Sequence, residues 1–447
     1  MARQSRKSDM LPKHLNPDNI IFSVFTEEDI KKLSVLKICS AITFDALGYP
    51  VSGGLYDKCL GPISERGDPC GTCFQNIYQC PGHYGHIELP LPVINPVFSK
   101  IIATILKITC FSCYRIQIPE SIKHSLSTQI KLADRGLLTE AIEIQAKITG
   151  AVSTDGTFED VSADALKEIA EYEQLTDLDN DQSNEILLNK NIEGLRNQFV
   201  SNVLKSIRAK KTCIYCKMLL SKLNAVKDKY ILVSKVTKGD SRVVSNESKH
   251  LNPEEIRGFL RSIWQNDKIF LTQLVPVLSD VEIEHPTDVF FFKIIPVPPP
   301  NVRPANVVNG RVTESSQSQI YKAILHDAFL LNVIIKVVHS DGSLNTLDDV
   351  ATGAYTVAKG NSPTEKLHLA WDSLQYNVNN ILDKQGKSSG GEQGLKQIIE
   401  KKAGIIRMHM MGKRVNFAAR SVITPDPNLN IDEIGIPEAF AKKLTYP

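Results

Sequence analysis

Apolar residues recur at helical spacing from Pro96 through Thr109, and this period predicts a helix there. A mainly helical region from Ile118 to about Lys210 follows. The chain up to Phe98 is instead rich in Gly, Pro and Cys, with short extended segments such as His86 to Val93. We therefore expect loops and short strands first, and helices after them.

Further along, an apolar run from Val289 to Ile295 predicts a buried strand that Pro296 to Pro300 should stop. Two helical patterns follow, at Ile324 to Val338 and at Leu367 to Ile381, with apolar steps alternating between four and three. The glycine-containing stretch between them cannot continue either helix, so we expect an antiparallel helical hairpin. An ordinary pair of core-facing helices fits the same periodicity equally well.

Two segments have a biased composition. The stretch from Gln385 to Gly394 is flexible by composition, where a working loop and a plain linker look the same. The segment from Asp155 to Glu185 holds eleven Asp or Glu against one Lys. Its favoured interpretation is a solvated helix face with a flexible loop, and the alternative is an acidic binding site.

Length and composition place the chain among folded proteins. Its 447 residues, 42% hydrophobic and 23% charged, allow two or three domains. No apolar run approaches the roughly 20 residues that cross a bilayer, and the start from Met1 to His14 is basic and polar. We therefore expect neither secretion nor a membrane partner. The net charge of +2 says little, because a basic C-terminal segment offsets the acidic one.

Seven of the nine cysteines belong to CxxC or CxxH pairs, which is typical of metal ligands in a reducing compartment. The first predicted zinc site has the ligands Cys70, Cys73, Cys80 and His83. Because protein groups fill all four positions, none remains for a water molecule, and the predicted role is structural rather than hydrolytic. His86 is a possible substitute ligand, and a polar surface position is its other interpretation.

A second predicted zinc site combines two CxxC pairs, Cys110 with Cys113 and Cys213 with Cys216. The pairs lie about a hundred residues apart, so their joining is an inference. A shared metal would make the helical region between them an insertion closed at its base. The alternative is two unrelated or buried pairs. Cys39 and Cys59 stand alone, and we expect them to be buried as small apolar residues.

A basic segment lies near the C-terminus. It contains seven Lys or Arg against one acid, and the seven are Lys396, Lys401, Lys402, Arg407, Lys413, Arg414 and Arg420. Apolar residues and glycines interleave with them, so we expect one side to be buried while the other offers cations. Such a pattern favours phosphate binding on nucleic acid, and a merely solvated face is the alternative.

Several runs of residues resemble a known family. The run from Arg407 to Asn428, centred on Met-Gly-Lys-Arg-Val-Asn-Phe-Ala-Ala-Arg, is similar to a signature of the largest subunit of multisubunit RNA polymerases. The runs from Cys80 to Pro90 and from Lys443 to Pro447 resemble the same family. The resemblance implies an α+β fold, in which a zinc-stapled clamp carries a helical insertion, a helical hairpin and the start of an active-site domain.

The resemblance also implies a division of the chain into six parts. The clamp would comprise a core with the first zinc site and half of the second (1–117), a mainly helical clamp-head insertion (118–210) and a remainder with the second zinc site (211–295). A lid-like loop (296–312) and a clamp-helix hairpin with a rudder-like loop (313–395) would follow. The last part would be a switch segment and the truncated start of the active-site domain (396–447).

Contacts with nucleic acid are implied as well. The cations that would meet template DNA or the RNA–DNA hybrid are Lys402, Arg407, Lys413, Arg414 and Arg420, with Arg303 and Arg311 of the lid-like loop available for phosphate. Gly404 and Gly412 would let the switch segment hinge. Such contacts are sequence-neutral, because a polymerase copies any template. The implied protein partners are the second-largest polymerase subunit and other subunits, in the nucleus and nucleolus.

Three features favour polymerase class I over classes II and III. They are the run from Gly53 to Asp57, Asn416 where the other classes have Asp, and a second cysteine set made of two CxxC pairs. The length of chain between those pairs also suits class I.

The family's Mg²⁺-binding Asn-Ala-Asp-Phe-Asp-Gly-Asp loop is absent from the sequence, so no catalytic residue is predicted here. We expect an N-terminal fragment of a nucleotidyltransferase, inactive alone, with two Zn²⁺ ions and with Mg²⁺ only in the complete subunit. The competing hypotheses are a free-standing zinc-dependent nucleic-acid-binding module and a structural protein that docks through its helical hairpin.

Overall fold

The computed structural model describes residues 24–63, 67–150, 167, 169, 171–172, 190–206, 212–226, 229–237, 244–279, 281, 283–308, 311–340, 348–384 and 394–444. The chain forms two compact units, Met1–Asn379 and Asn380–Pro447. Helices and small sheets alternate along the first unit, which confirms the predicted α+β class. Most of the acidic segment from Asp155 to Glu185 and nearly all of the Gln385 to Gly394 loop lie outside the described residues.

The first half of the chain contains two strands and five described helices. They are α1 (Glu27–Leu33), β1 (Ser34–Lys37), β2 (Tyr84–Ile94), α2 (Ser99–Lys107), α3 (Glu120–Asp134), α4 (Leu138–Gly150) and α5 (Lys190–Ser206). A 3₁₀ turn at Lys58–Leu60 precedes β2. Strand β2 and helices α2 to α5 confirm the extended and helical patterns that the sequence predicts for this region.

The second half of the first unit continues with β3 (Lys222–Val226), β4 (Lys229–Thr237), β5 (Val244–Leu251), α6 (Pro253–Leu274), β6 (Phe291–Val297), β7 (Asn306–Val308), β8 (Arg311–Thr313), α7 (Ser316–His339), α8 (Asp349–Val357) and α9 (Pro363–Leu382). Helix α6 was not predicted. Its start nevertheless has a clear signal, because Asn252 and Glu255 form a capping box around Pro253 in the first turn.

Three sheets form in the first unit, in the orders β1-β2-β6, β3-β4-β5 and β7-β8. Strand β6 lies at the edge of its sheet, where it pairs antiparallel with β2. This strand begins later than the predicted start at Val289. Residues 286–290 form a 3₁₀ turn, and the strand begins at Phe291. It also runs through Pro296 to Val297, since an edge strand tolerates a residue that cannot donate a hydrogen bond.

One hydrophobic cluster joins the helical region to the first two sheets. Helix α2 contributes Ile102 and Ile105, and α6 contributes Leu260 and Phe270, all almost wholly buried. Tyr230 of β4 belongs to the same cluster. Burial of large apolar side chains on three or more elements is the main stabilising contribution to this unit, at about 1.5–3 kcal/mol for each side chain.

The two heptad-like patterns do form helices, α7 and α9. Asp327 of α7 accepts hydrogen bonds from Ser373 (3.1 Å) and Asn377 (2.7 Å) of α9, so a polar contact joins the two. Helix α9 also packs on β2. Its Trp371 and Gln375 side chains donate hydrogen bonds to the backbone carbonyls of Pro92 and Ile94. These contacts favour the core-facing interpretation. The stretch between α7 and α9 continues neither helix, as predicted, but it contains a separate short helix, α8, which was not predicted.

The second unit contains α10 (Leu395–Ile399), a π-helical turn at Ile406–Met410 and α11 (Glu438–Lys443). Gly404 lies between the first two elements, where an added Cβ would come 2.2 Å from the carbonyl oxygen of Ile399. Only glycine fits such a close approach of two backbone segments. Across the described part of the chain, every helix is too short or too polar to cross a bilayer.

Candidate metal centres and nucleic-acid-binding segment

The structure brings the four ligands of the first predicted metal site together. The ligand atoms of Cys70, Cys73, Cys80 and His83 all lie within 4.8 Å of one another, and the Sγ atoms of Cys73 and Cys80 are 3.5 Å apart. Tetrahedral zinc with Zn–S bonds of about 2.3 Å would separate its sulfurs by about 3.8 Å. The cysteines are free thiols at a spacing that suits a metal.

His83 supplies an independent sign that a metal fits this site. Its Nε2 atom is buried and has no hydrogen-bond partner among the described residues. A buried polar atom without a partner is costly, and coordination of a cation would satisfy it. Three thiolates and one imidazole form a donor set that zinc prefers, with no open position for a substrate.

Tight backbone turns place the side chains of these ligands close to one another. The amide of Phe74 donates to the Cys70 carbonyl at 2.9 Å, and Phe74 has a positive φ of 58°. In the second half-site the amide of Gly82 donates to the Cys80 sulfur at 3.4 Å. Gly82 has a φ of 82°, and an added Cβ would lie 2.6 Å from the Pro299 ring. Pro299, which follows β6, therefore packs directly on the first candidate metal site.

The second predicted site is also assembled. All four ligand atoms lie within 4.8 Å of one another, and the Cys110–Cys216 and Cys113–Cys213 pairs of sulfurs are each 3.7 Å apart. This spacing matches the edge of a tetrahedral zinc–thiolate site, about 3.8 Å. The two CxxC pairs thus meet in space although a hundred residues separate them in sequence.

Both halves of the second site repeat one turn geometry. The amide of Cys110 donates to the Arg115 carbonyl (3.1 Å), and that of Cys213 donates to the Met218 carbonyl (2.8 Å). The residue after each pair has a positive φ, 55° at Tyr114 and 61° at Lys217. Positive φ is uncommon outside glycine and indicates a strained backbone. With the turn at Phe74, this turn therefore occurs three times around the predicted metals.

Gln117 is a site residue that the sequence did not reveal. Its Nε2 donates to the Cys213 sulfur at 3.3 Å, and its Oε1 accepts from the amide of Ile214 at 3.1 Å. Burial opposes ionisation of the Cys213 thiol, but donors from Cys216, Gln117 and Tyr215 lower its pKa to about 6. A thiolate is the form that binds metal. The only local signal was a polar residue between two isoleucines.

Three other candidates are settled by their contacts. His86 lies in β2 with its Nδ1 2.7 Å from the Ser34 hydroxyl, outside the first ligand group, in line with its interpretation as a polar position. The prediction that both single cysteines are buried is wrong for Cys39, which is exposed, while Cys59 is half-buried. Cys39 follows β1, an edge strand of its sheet.

Arg303 is not available for phosphate in this structure. Its side chain is 1% exposed, and its guanidinium donates to the carbonyls of Pro298 and Leu55 and to the hydroxyl of Ser318. The prediction that Arg303 contacts phosphate is therefore wrong, because its guanidinium is buried and already donates to three groups of the protein. Arg311 lies in β8, and its side chain is outside the described part of the structure.

The cations of the basic segment are exposed. The five that were predicted to contact nucleic acid are Lys402, Arg407, Lys413, Arg414 and Arg420, and none of these five forms a salt bridge with a described residue. Lys396, at the start of the segment, pairs with Asp383 at 3.1 Å. The expectation that the apolar residues between them are buried is wrong here, since Met410, Met411 and Phe417 are 74–80% exposed. This stretch has only short helical turns and packs few of its apolar side chains within its own unit.

Comparisons with known proteins agree with these features. Residues 16–339 match the family described as RNA polymerase Rpb1, domain 1, and residues 412–447 match RNA polymerase Rpb1, domain 2. The chain is 38% identical to the DNA-directed RNA polymerase I subunit RPA1 of Drosophila melanogaster, over 97% of this chain and 27% of that protein.

A second relative is the DNA-directed RNA polymerase I subunit RPA190 of Saccharomyces cerevisiae, 28% identical over 96% of this chain and 30% of that protein. The chain thus spans less than a third of the length of these relatives. The first family match alone covers well over half of the chain. The resemblance seen in the motifs and the two cysteine groups agree with it, and the chain belongs to the RNA polymerase Rpb1 family.

Proposed function

We propose that this chain forms the clamp of the largest subunit of DNA-directed RNA polymerase I, which holds template DNA and the RNA–DNA hybrid during synthesis of ribosomal RNA. Its relatives carry the name of that subunit, and its two family matches cover both cysteine groups and the end of the basic segment from Gly412 onward. The proposed partners are the second-largest subunit and other polymerase subunits, in the nucleus and nucleolus. Nucleotidyl transfer, with its Mg²⁺, would need the complete subunit.

Two structural zinc ions are part of this proposal. The first would be held by Cys70, Cys73, Cys80 and His83, and the second by Cys110, Cys113, Cys213 and Cys216. Zinc would supply a closed, four-coordinate crosslink and no catalytic chemistry. The second would tie the base of the helical insertion, whose ends are far apart along the chain.

The lid-like and rudder-like assignments belong to the same proposal. An antiparallel pair of strands, β7 with β8, overlaps the proposed lid at residues 296–312 and supports a hairpin there. The proposed clamp helices are α7 and α9. For the lid, Arg311 remains a proposed phosphate contact, whereas the buried Arg303 would anchor the loop.

The observation that carries nucleic-acid binding is the set of exposed cations that form no ion pair with a described residue. Surface lysines and arginines that are free of carboxylates can neutralise phosphates and release counterions. Sequence-neutral contact with a template or hybrid backbone is what such a set would provide. A π-helical turn, often found at functional positions, lies within this segment at Ile406–Met410.

Binding to an RNA–DNA hybrid over a range of salt concentrations tests this proposal. The double variant Lys413→Ala/Arg414→Ala should weaken binding and reduce the salt slope by about two. The control is Lys442→Ala/Lys443→Ala, which removes the same charge from α11 in the same unit. An equal loss in both variants would show only a net-charge effect and would refute the assignment of the basic segment.

A further inference from the structure

The long helix α6 is interrupted at Asp267, whose φ of −133° and ψ of 39° are not helical. No proline or glycine is present at this point of the helix to explain the kink. The side chain of Asp267 is only 2% exposed, so its carboxylate lies inside the protein. A kink of this kind has a cost that its contacts must offset.

Those contacts lead to the second cysteine group. The Asp267 carboxylate accepts the amide N–H of Ile116 at 2.7 Å, just after the turn that carries Cys110 and Cys113. The neighbouring Asn266 donates to the carbonyls of Cys113 (3.3 Å) and Tyr114 (3.2 Å). The kinked turn thus holds the backbone of the first CxxC pair at two points.

The same carboxylate is connected to the other CxxC pair. Lys123 of α3 forms a buried ion pair with Asp267 and lies 3.3 Å from the hydroxyl of Tyr215. Tyr215 lies between Cys213 and Cys216, and its hydroxyl donates to the Ile118 carbonyl at 2.6 Å. One charged network therefore contacts both halves of the site.

We propose that Asp267, together with Lys123 and Tyr215, forms a positioning network for the second metal centre, so that the kink in α6 and metal occupancy are coupled. This inference rests on the proposed metal sites. The two CxxC turns are a hundred residues apart in sequence. Their four sulfurs must be held close together before a metal can bind all of them. The network supplies that arrangement through a buried pair whose partners would each be costly alone.

These three residues contact no metal themselves, so their effect should resemble that of other outer partners of metal ligands, about 10- to 100-fold in metal affinity. Asp267→Ala should weaken the second centre by such a factor. Asp267→Asn keeps an acceptor for the Ile116 amide and should have a smaller effect. Tyr215→Phe removes only the hydroxyl contacts, and its effect should also be smaller.

The experiment is a chelator challenge of the zinc-loaded protein, followed by thiol alkylation and peptide mass spectrometry, which reports each centre separately. In Asp267→Ala and Asp267→Asn, the cysteines at 110, 113, 213 and 216 should become reactive earlier than in the unmodified protein. The cysteines at 70, 73 and 80 should keep their rate and serve as the internal reference.

Asp288→Asn is the matched control, because Asp288 also pairs with cations of α6, Arg257 and Arg261, and neither cysteine group of the described residues includes it. Equal acceleration at both centres, the same result for Asp288→Asn, or no change at the second centre would overturn the inference. A wild-type protein without bound metal at either centre would instead refute the proposed metal sites, so the two failures are distinguishable.

Discussion

Arg303 lies over the ring of Tyr56, with 4.9 Å between the guanidinium carbon and the ring centroid, and both side chains are almost wholly buried. The Tyr56 hydroxyl donates in turn to the Arg303 carbonyl at 3.1 Å. No carboxylate is hydrogen-bonded to this guanidinium within the described residues, so backbone carbonyls and the aromatic ring stabilise its charge. The pair joins the start of the proposed lid to the loop before Lys58.

Arg303→Lys should therefore be strongly destabilising although it keeps the charge. A lysine cannot donate to Pro298, Ser318 and Leu55 together, and each buried acceptor left without a donor costs about 1–3 kcal/mol. We expect a loss on the order of 3 kcal/mol in the free energy of unfolding, measured by urea denaturation. The exposed Arg414→Lys makes the same exchange and should be nearly neutral. Equal stability of the two variants would contradict the buried role.

Asp288 predicts a dependence of stability on acid pH. Its burial disfavours the carboxylate, but Arg261 and Arg257 outweigh that effect and hold its pKa at about 2. A folded pKa below the usual value means that this contribution is present above about pH 4 and is lost as the pH falls towards 2. It amounts to about 2 kcal/mol near neutral pH.

The measurement compares the unfolding free energy of the unmodified protein with that of Asp288→Asn across this range. The difference should be largest near neutral pH and should shrink as the carboxylate becomes protonated. Acid effects on the cysteine centres are shared by both proteins and cancel in the difference. A difference that is constant with pH would rule out the arginine–carboxylate pairing as its source.

Gly82→Ala should disrupt the first metal centre. The position has a positive φ, and the new methyl group would collide with Pro299. We expect faster loss of metal from Cys70, Cys73, Cys80 and His83 to a chromogenic chelator. Gly258→Ala is the control, because its helical position in α6 has open space around the added Cβ. That variant should be neutral or up to about 1 kcal/mol more stable.

Metal content is expected to be two zinc ions per chain, since each ligand group is complete within the chain. Elemental analysis of protein purified without added metal checks this number. Removal of both ions by a chelator should also lower the thermal unfolding temperature, because each site crosslinks distant segments. A single ion, or no loss of stability without metal, would refute the structural role of one or both centres.

Local spacing was sufficient to predict the ligands. A CxxC or CxxH turn places its donors through neighbouring backbone hydrogen bonds, so Cys70 and Cys73 could be identified without knowledge of the fold. Helices α2, α7 and α9 were predictable for a similar reason, since a period of 3.6 residues reflects burial of one face. The motif around Lys413 and Arg414 likewise indicated the family through its residues alone.

Other features depend on contacts between distant parts of the chain. The resemblance implied that Arg303 of the lid-like loop contacts phosphate, and only the packing of Tyr56 and Ser318 around it shows that it is buried. Asp267 had no predicted role in the sequence, and only its contacts with Lys123 of α3 and the Ile116 amide show that it is buried and paired. Phe417 is apolar, which predicted burial, yet it is exposed. Burial depends on whether another surface covers the side chain, and the local sequence does not show this.

The sequence by itself predicted the two candidate ligand groups, most of the helices and the family, because these follow from spacing and periodicity over short stretches. Tertiary structure alone decided that Cys110 meets Cys216, that Gln117 and Asp267 bond the second cysteine group and its turn, and that Arg303 is buried. The physical reason is that burial and pairing of a charge depend on which distant residues exclude water from it.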